Sequence, residues 1–180
     1  MRERPGHIDQ RELARTLGEQ KLEAALGELS QPWSGGPYSE PARQLLARHA
    51  ARLGGALARF DELVREAACG GPPVITHGEP HPGNILRSAG RMHLIDWDTV
   101  GLALPERDLW MVAGDDAGAA GQYAELTGRP VSAAALQLYK MRWSLDDIAL
   151  AVRDFRASHE QNEDSGLAWE TLTEEIGEIV

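Results

Sequence analysis

One nine-residue stretch, Thr76-His77-Gly78-Glu79-Pro80-His81-Pro82-Gly83-Asn84, places two imidazoles, a carboxylate and an amide close together. Pro80 and Pro82 each remove a backbone donor and clash with a preceding helical turn, so the stretch is a stiff loop and not a helix. Further on, Asp96 and Asp98 flank Trp97 in Leu94-Ile95-Asp96-Trp97-Asp98. The amide oxygen of Asn84, one or two of these carboxylates and phosphate oxygens form the hard-oxygen set that Mg²⁺ accepts. Glu79, five residues before Asn84, can face a substrate hydroxyl while Asn84 faces the metal. A loop carboxylate, an Asn five residues on and an Asp on the next hairpin are the parts of kinase-type phosphoryl transfer, a reaction catalysed mainly by positioning and charge neutralisation. Positioning accounts for the prolines, since a displacement of about 1 Å can cost roughly 10²-fold.

The rest of the chain has to hold these groups. Leu13, Leu17, Leu22, Leu26 and Leu29 predict a helix over residues 9–29, with Asp9 as N-cap. After the loop Ser30–Tyr38, Ser39 can cap a second helix with Pro41 in its first turn, running to about Cys69 through Leu45, Leu46, Leu53, Leu57, Phe60 and Val64. Residues 74–76, 84–87 and 91–96 are short and rich in β-formers, and residues 88–91 read as a hairpin turn. Helical patterns return over about 105–113, 118–127, 132–157 and 167–177. The expected fold class is α+β and mostly α, with a small β hairpin at the site and the polar loop between the first two strands.

Bulk composition narrows the function classes. The 180 residues are 42% hydrophobic and 26% charged, as in a soluble globular chain forming one domain or one lobe of a larger enzyme. A formal charge of −10 argues against nucleic acid and suits a cationic small molecule, or serves solubility alone. The single cysteine, Cys69, rules out an internal disulfide, and residues 1–10 have no apolar core of a signal peptide, so a cytoplasmic location is expected. No apolar run approaches the roughly 20 residues that span a bilayer.

Thr76-His77-Gly78-Glu79-Pro80-His81-Pro82-Gly83-Asn84-Ile85-Leu86 followed by Leu94-Ile95-Asp96-Trp97-Asp98 resembles the aminoglycoside phosphotransferase and choline kinase-like family, which has a protein-kinase-like fold. The family loop reads His-Gly-Asp, four residues, Asn. The resemblance implies that Glu79 takes the place of the catalytic Asp and that Asn84 and Asp96 are Mg²⁺ ligands. It further implies that Asp98 lies near the metal, that His77 braces the loop, and that Asp108 in Pro105-Glu106-Arg107-Asp108-Leu109-Trp110 anchors it. The implied cofactors are Mg²⁺ with ATP or GTP, and the implied acceptor is a hydroxyl of a small cationic molecule such as an aminoglycoside. The resemblance covers roughly residues 70–165.

Two departures stand out. Glutamate replaces aspartate at position 79. No strand-rich segment or glycine-rich phosphate loop precedes Val74, and neither Lys21 nor Lys140, the only lysines, is placed to serve the nucleotide. The chain is therefore expected to be a single domain over 1–180, a kinase-like C-terminal lobe lacking its nucleotide-binding N-terminal lobe.

The remaining residues carry two readings each. His77 and His81 are spaced as a zinc pair, but the prolines forbid the helix that zinc-binding pattern needs; His81 reads better as a residue supporting the loop. On helix 132–157, Leu145, Ile148, Val152 and Phe155 form a core stripe, and Trp143, Asp146, Asp147 and Asp154 lie beside it. An aromatic ring with carboxylates suits an ammonium-bearing substrate; the alternative is a solvated helix face. His49, His93 and His159 read as isolated. From a different class, a non-catalytic binding module would keep the carboxylates without using nucleotide, its uncovered face open to a dimer or protein partner.

Overall fold

The structure, a computed structural model, describes residues 17–68, 71–113 and 117–179. Asp9, Leu13 and Cys69 lie outside the described residues. The described residues divide into two compact units, one within Leu63–Lys140 and the other from residues 17–62 together with Met141 onward.

The first unit carries the polar loop. Strand β1 (Val74–Thr76) leads into the loop, which ends in a 3₁₀ turn (Pro82–Asn84). Strands β2 (Ile85–Ser88) and β3 (Arg91–Leu94) form an antiparallel hairpin in the register Ile85↔Leu94 to Ser88↔Arg91. Its two-residue turn has positive φ at both Ala89 (49°) and Gly90 (73°), the mirror-image turn whose twist matches that of paired strands. The strands begin and end earlier or later than their patterns suggest. Asn84 belongs to the 3₁₀ turn, and β3 stops at Leu94 because Asp96 has φ 64°, a left-handed value that no strand accommodates. A fourth strand, β4 (Gly101–Ala103), pairs antiparallel with β1, Ile75 opposite Leu102. Helices α3 (Glu106–Ala113) and α4 (Ala117–Thr127) follow. In the order of the chain, α1 (Leu17–Gly27) and α2 (Ser39–Ala67) precede β1.

The helix α5 (Ala133–Arg156) contributes to both units, and α6 (Glu163–Glu178) belongs to the second. The anticipated α2 positions Leu45, Leu46, Leu53, Leu57, Phe60 and Val64 are all buried, as are Leu145, Ile148, Val152 and Phe155 of α5. Ser39 does not cap α2 as expected. Its hydroxyl accepts from the Gly36 N–H (2.8 Å) and donates to the Phe155 carbonyl (2.6 Å). Helix α6 starts four residues before its pattern suggests, because Asn162 and Ser165 form a reciprocal capping box. His159 is not isolated: Nε2 accepts from the Tyr38 N–H, and its ring stacks against Tyr38 beside Phe155. No helix among the described residues is long and apolar enough to cross a membrane.

At the start of α2 the Arg43 guanidinium grips both Glu40 oxygens and the Leu29 carbonyl. That guanidinium, helped by the Gln44 amide, holds the Glu40 carboxyl down at about 2, against an ordinary 4.5. A depressed folded value means the pair's contribution is complete above 4.5 and lost as pH falls toward 2. Urea unfolding at pH 6 and pH 3 should therefore show a smaller acid-induced loss of stability in Glu40→Gln than in the unsubstituted chain.

Candidate active site

Each polar group of the loop other than its acid is bound into the main chain. Asp108, in the first turn of α3, accepts from two successive backbone amides, His77 N (2.7 Å to Oδ2) and Gly78 N (2.8 Å to Oδ1). A carboxylate with both oxygens on adjacent N–H groups fixes direction as well as position. His77 is buried, and its Nε2 lies 2.8 Å from the Ile95 carbonyl. A carbonyl can only accept, so Nε2 carries the proton and Nδ1 is the acceptor that takes the Glu79 N–H at 3.2 Å. The Trp97 ring meets His77 edge-on at 4.6 Å, and its Nε1 donates to the Leu94 carbonyl. Trp97 thus supports the brace while remaining half exposed.

His81 caps the 3₁₀ turn, Nδ1 accepting from Gly83 N at 3.1 Å. Both ring nitrogens of His77 and the Nδ1 of His81 are thus spent on the backbone, so the pair serves the loop's shape. Among the described residues no three His, Cys, Asp or Glu side chains converge to hold a metal.

Asn84 is buried, and its amide nitrogen donates to the Glu79 carbonyl at 2.9 Å. That bond settles the orientation of the amide and leaves the hard oxygen, Oδ1, on the other side. The Ile95 N–H donates to the Asn84 carbonyl (2.9 Å), tying the turn to the Asp96 segment. Asp96, Trp97 and Asp98 are exposed. Among the described residues no hydrogen bond or ion pair engages the carboxylates of Glu79, Asp96 or Asp98. Glu79 is half-buried.

Gly78 sits at φ +103° and is covered by Arg107 and Thr99. A Cβ there would fall 2.3 Å from Arg107 Nη2 and 2.6 Å from Thr99 Oγ1. Gly78→Ala is expected to cost about 2 kcal/mol or more in strain alone, and to displace Glu79. A fall in thermal midpoint checks this.

Sequence reasoning missed Arg107 and Thr99. Arg107 Nη1 donates to Thr76 Oγ1 (2.8 Å), Nη2 donates to the Thr99 carbonyl (2.9 Å), and the Thr99 hydroxyl donates to the His77 carbonyl (2.9 Å). The adjacent Glu106, 3% exposed, accepts from Ser132 N at the start of α5. Polar residues in a row, Glu106-Arg107-Asp108, were the available signal, but only the Asp fits a known pattern.

Trp143, Asp146, Asp147 and Asp154 lie on α5 in the second unit, all half-buried. Their spacing puts them on one side of the helix. Asp146 pairs with Arg142 (3.5 Å) and Asp154 with Arg153 (2.7 Å).

Comparison with known proteins adds three findings. Residues 4–140 match the model of the phosphotransferase enzyme family. Protein StrN of Streptomyces griseus is 34% identical over 152 residues, 81% of this chain and 43% of its own length. Spectinomycin phosphotransferase, solved with ADP and spectinomycin, aligns over 98% of this chain and 59% of its own, with TM-score 0.73 and 18% identity. Its AMP-bound form gives 0.72 and 19%, over 98% and 60%. The likeness to the solved structures shows a shared kinase-like fold, and the chain spans less than half of its curated relative's length.

Proposed function

Since the chain belongs to the phosphotransferase enzyme family, the aminoglycoside phosphotransferase-like enzymes, we propose that it forms the acid-bearing, C-terminal lobe of a small-molecule kinase. In this reading it moves the γ-phosphate of ATP or GTP to a hydroxyl of a small cationic acceptor, with an amino sugar such as spectinomycin as the model case. One observation carries the reading. The loop is rigidly bonded through His77, Asp108, Thr99 and the Asn84 amide, while the carboxylates of Glu79, Asp96 and Asp98 take no bond from the described residues. Carboxylates left unpartnered on a braced loop are what a phosphate-transfer site needs before its substrates arrive.

Glu79 orients the acceptor hydroxyl and takes its proton as the phosphoryl group arrives. The donor set fits Mg²⁺: Asn84 Oδ1 is turned away from the bonded amide nitrogen, and Asp96 and Asp98 offer exposed carboxylates. When bound, the ion supplies charge neutralisation at the nucleotide phosphates. In the second unit, taken by itself, Trp143 and Asp147, with the neighbouring Asp146 and Asp154, form a separate aromatic and acidic surface suited to an ammonium group.

A competing reading, a binding module that uses no nucleotide, is favoured by the exposed apolar strand residues Ile75 (75%) and Met92 (70%), which a partner would cover. Calorimetric titration with ATP separates the two. The kinase reading expects binding that requires Mg²⁺ and is lost in Asp96→Ala. Mg-independent binding, or Mg-dependent binding unchanged in Asp96→Ala, would sink it.

A further inference from the structure

We propose that Arg107 is a positioning residue that ties the Glu79 loop to the Asp96–Asp98 segment, so that the hydroxyl-binding acid and the cation-binding acids keep one fixed spacing. The purpose of the tie rests on the functional reading above, whereas the tie itself rests on geometry. Asp108 secures the loop alone, its two oxygens being taken by His77 and Gly78. Its neighbour Arg107 reaches both segments. Nη1 binds the Thr76 hydroxyl just before the loop, at 2.8 Å, and Nη2 binds the carbonyl of Thr99, the residue after Asp98, at 2.9 Å. Thr99 closes the circuit, its hydroxyl donating to the His77 carbonyl at 2.9 Å. The Thr76 hydroxyl passes its own proton to the Gly101 carbonyl at 3.0 Å, which brings β4 into the same ring of bonds. Gly78, where no Cβ would fit, lets the guanidinium lie flat against the loop.

The planar fork matters. Two donors at fixed separation hold a hydroxyl and a carbonyl on different segments at once, which a lysine ammonium on its flexible stem cannot reproduce. The two segments are separated by the whole β2–β3 hairpin, so chain connectivity alone sets their spacing loosely. The guanidinium sets it directly.

Amide hydrogen exchange on the full chain tests the tie, with Arg107→Ala and Arg107→Lys compared with the unsubstituted protein. Arg107→Ala is expected to speed exchange about tenfold or more in residues 76–80 and 97–101 together, leaving α6 unchanged. Arg107→Lys should re-protect only one of the two segments, and it carries the test if the alanine variant fails to fold. Faster exchange in a single segment with alanine, or full protection of both with lysine, would overturn the proposal. Titration with ATP then addresses its purpose. Arg107→Ala should weaken the Mg-dependent part of ATP affinity about tenfold and leave Mg-free affinity alone; an unchanged Mg dependence would overturn the positioning role. ATP binding by the unsubstituted chain that needs no Mg²⁺ would refute the functional reading instead, and the exchange data would still decide the tie.

Discussion

Asp108→Ala should abolish the site without touching any group proposed to meet substrate. Two backbone N–H donors, at His77 and Gly78, lose their shared acceptor, and both residues are buried. Leaving a buried donor without its acceptor costs about 1–3 kcal/mol, and here two donors are orphaned together. A loss of about 3–4 kcal/mol in the stability of the first unit is expected, measurable by urea unfolding. The loop's direction goes with it, and a displacement of about 1 Å at Glu79 is enough for roughly a 10²-fold fall in transfer. Asp108→Asn refines the expectation. Its amide keeps one acceptor oxygen but turns a donor toward a second N–H, so its stability should lie between the other two. If Asp108→Asn matched the unsubstituted chain, one acceptor would suffice and the paired geometry would have no energetic weight.

The same residues show what could be read in advance. Helix existence followed from apolar spacing, and the α2 and α5 stripes are buried where the three-and-four pattern puts them. The hairpin followed from the turn residues 88–91 between two runs of β-formers. The kinase-like family and fold followed from the resemblance of the Thr76–Leu86 loop and the Leu94–Asp98 segment to the aminoglycoside phosphotransferase family. What escaped is what spacing does not encode. Strand β4 is three residues long and begins with a glycine, too short for any alternation to register. The start of α6 lies in a polar run whose capping box is visible only once the Asn162 and Ser165 side chains face each other's backbone. Asp96 ended its strand early through its own positive φ, and sequence has no marker for that beyond the tolerance of Asp for such values. Arg107 is the sharpest case. Its partners are a hydroxyl and a main-chain carbonyl brought together by folding, so nothing in its neighbours along the chain foretells them. His159 escaped for the same reason, its ring nitrogen taking a backbone proton 121 residues away.

Replacing Glu79 by the family's own aspartate should lower activity. That outcome runs against the motif and follows from the bracing. Aspartate holds its carboxylate about 1.5 Å closer to the backbone. A compliant loop could advance to recover the distance. This one is held at His77 N, Gly78 N, Glu79 N, the Glu79 carbonyl and the His77 carbonyl, with Gly78 pressed beneath Arg107. The acid therefore retreats from the acceptor, and Glu79→Asp should lose about 10- to 100-fold in kcat. Glu79→Gln keeps the length and removes the base; with a loose transition state the base carries limited weight, so a loss of about 10²-fold is expected from proton transfer and misoriented hydroxyl together. Glu79→Ala should fall at least as far. Mg-dependent ATP affinity should stay within about twofold in all three, because Asn84 and Asp96, not Glu79, are the groups proposed to hold the nucleotide's ion. Steady-state transfer from ATP to spectinomycin and other amino-sugar or amino-alcohol acceptors, with calorimetry on the same samples, reads both quantities. An aspartate variant faster than the unsubstituted chain would mean that the loop yields, and that its bonds shape the fold without setting the reach of the acid.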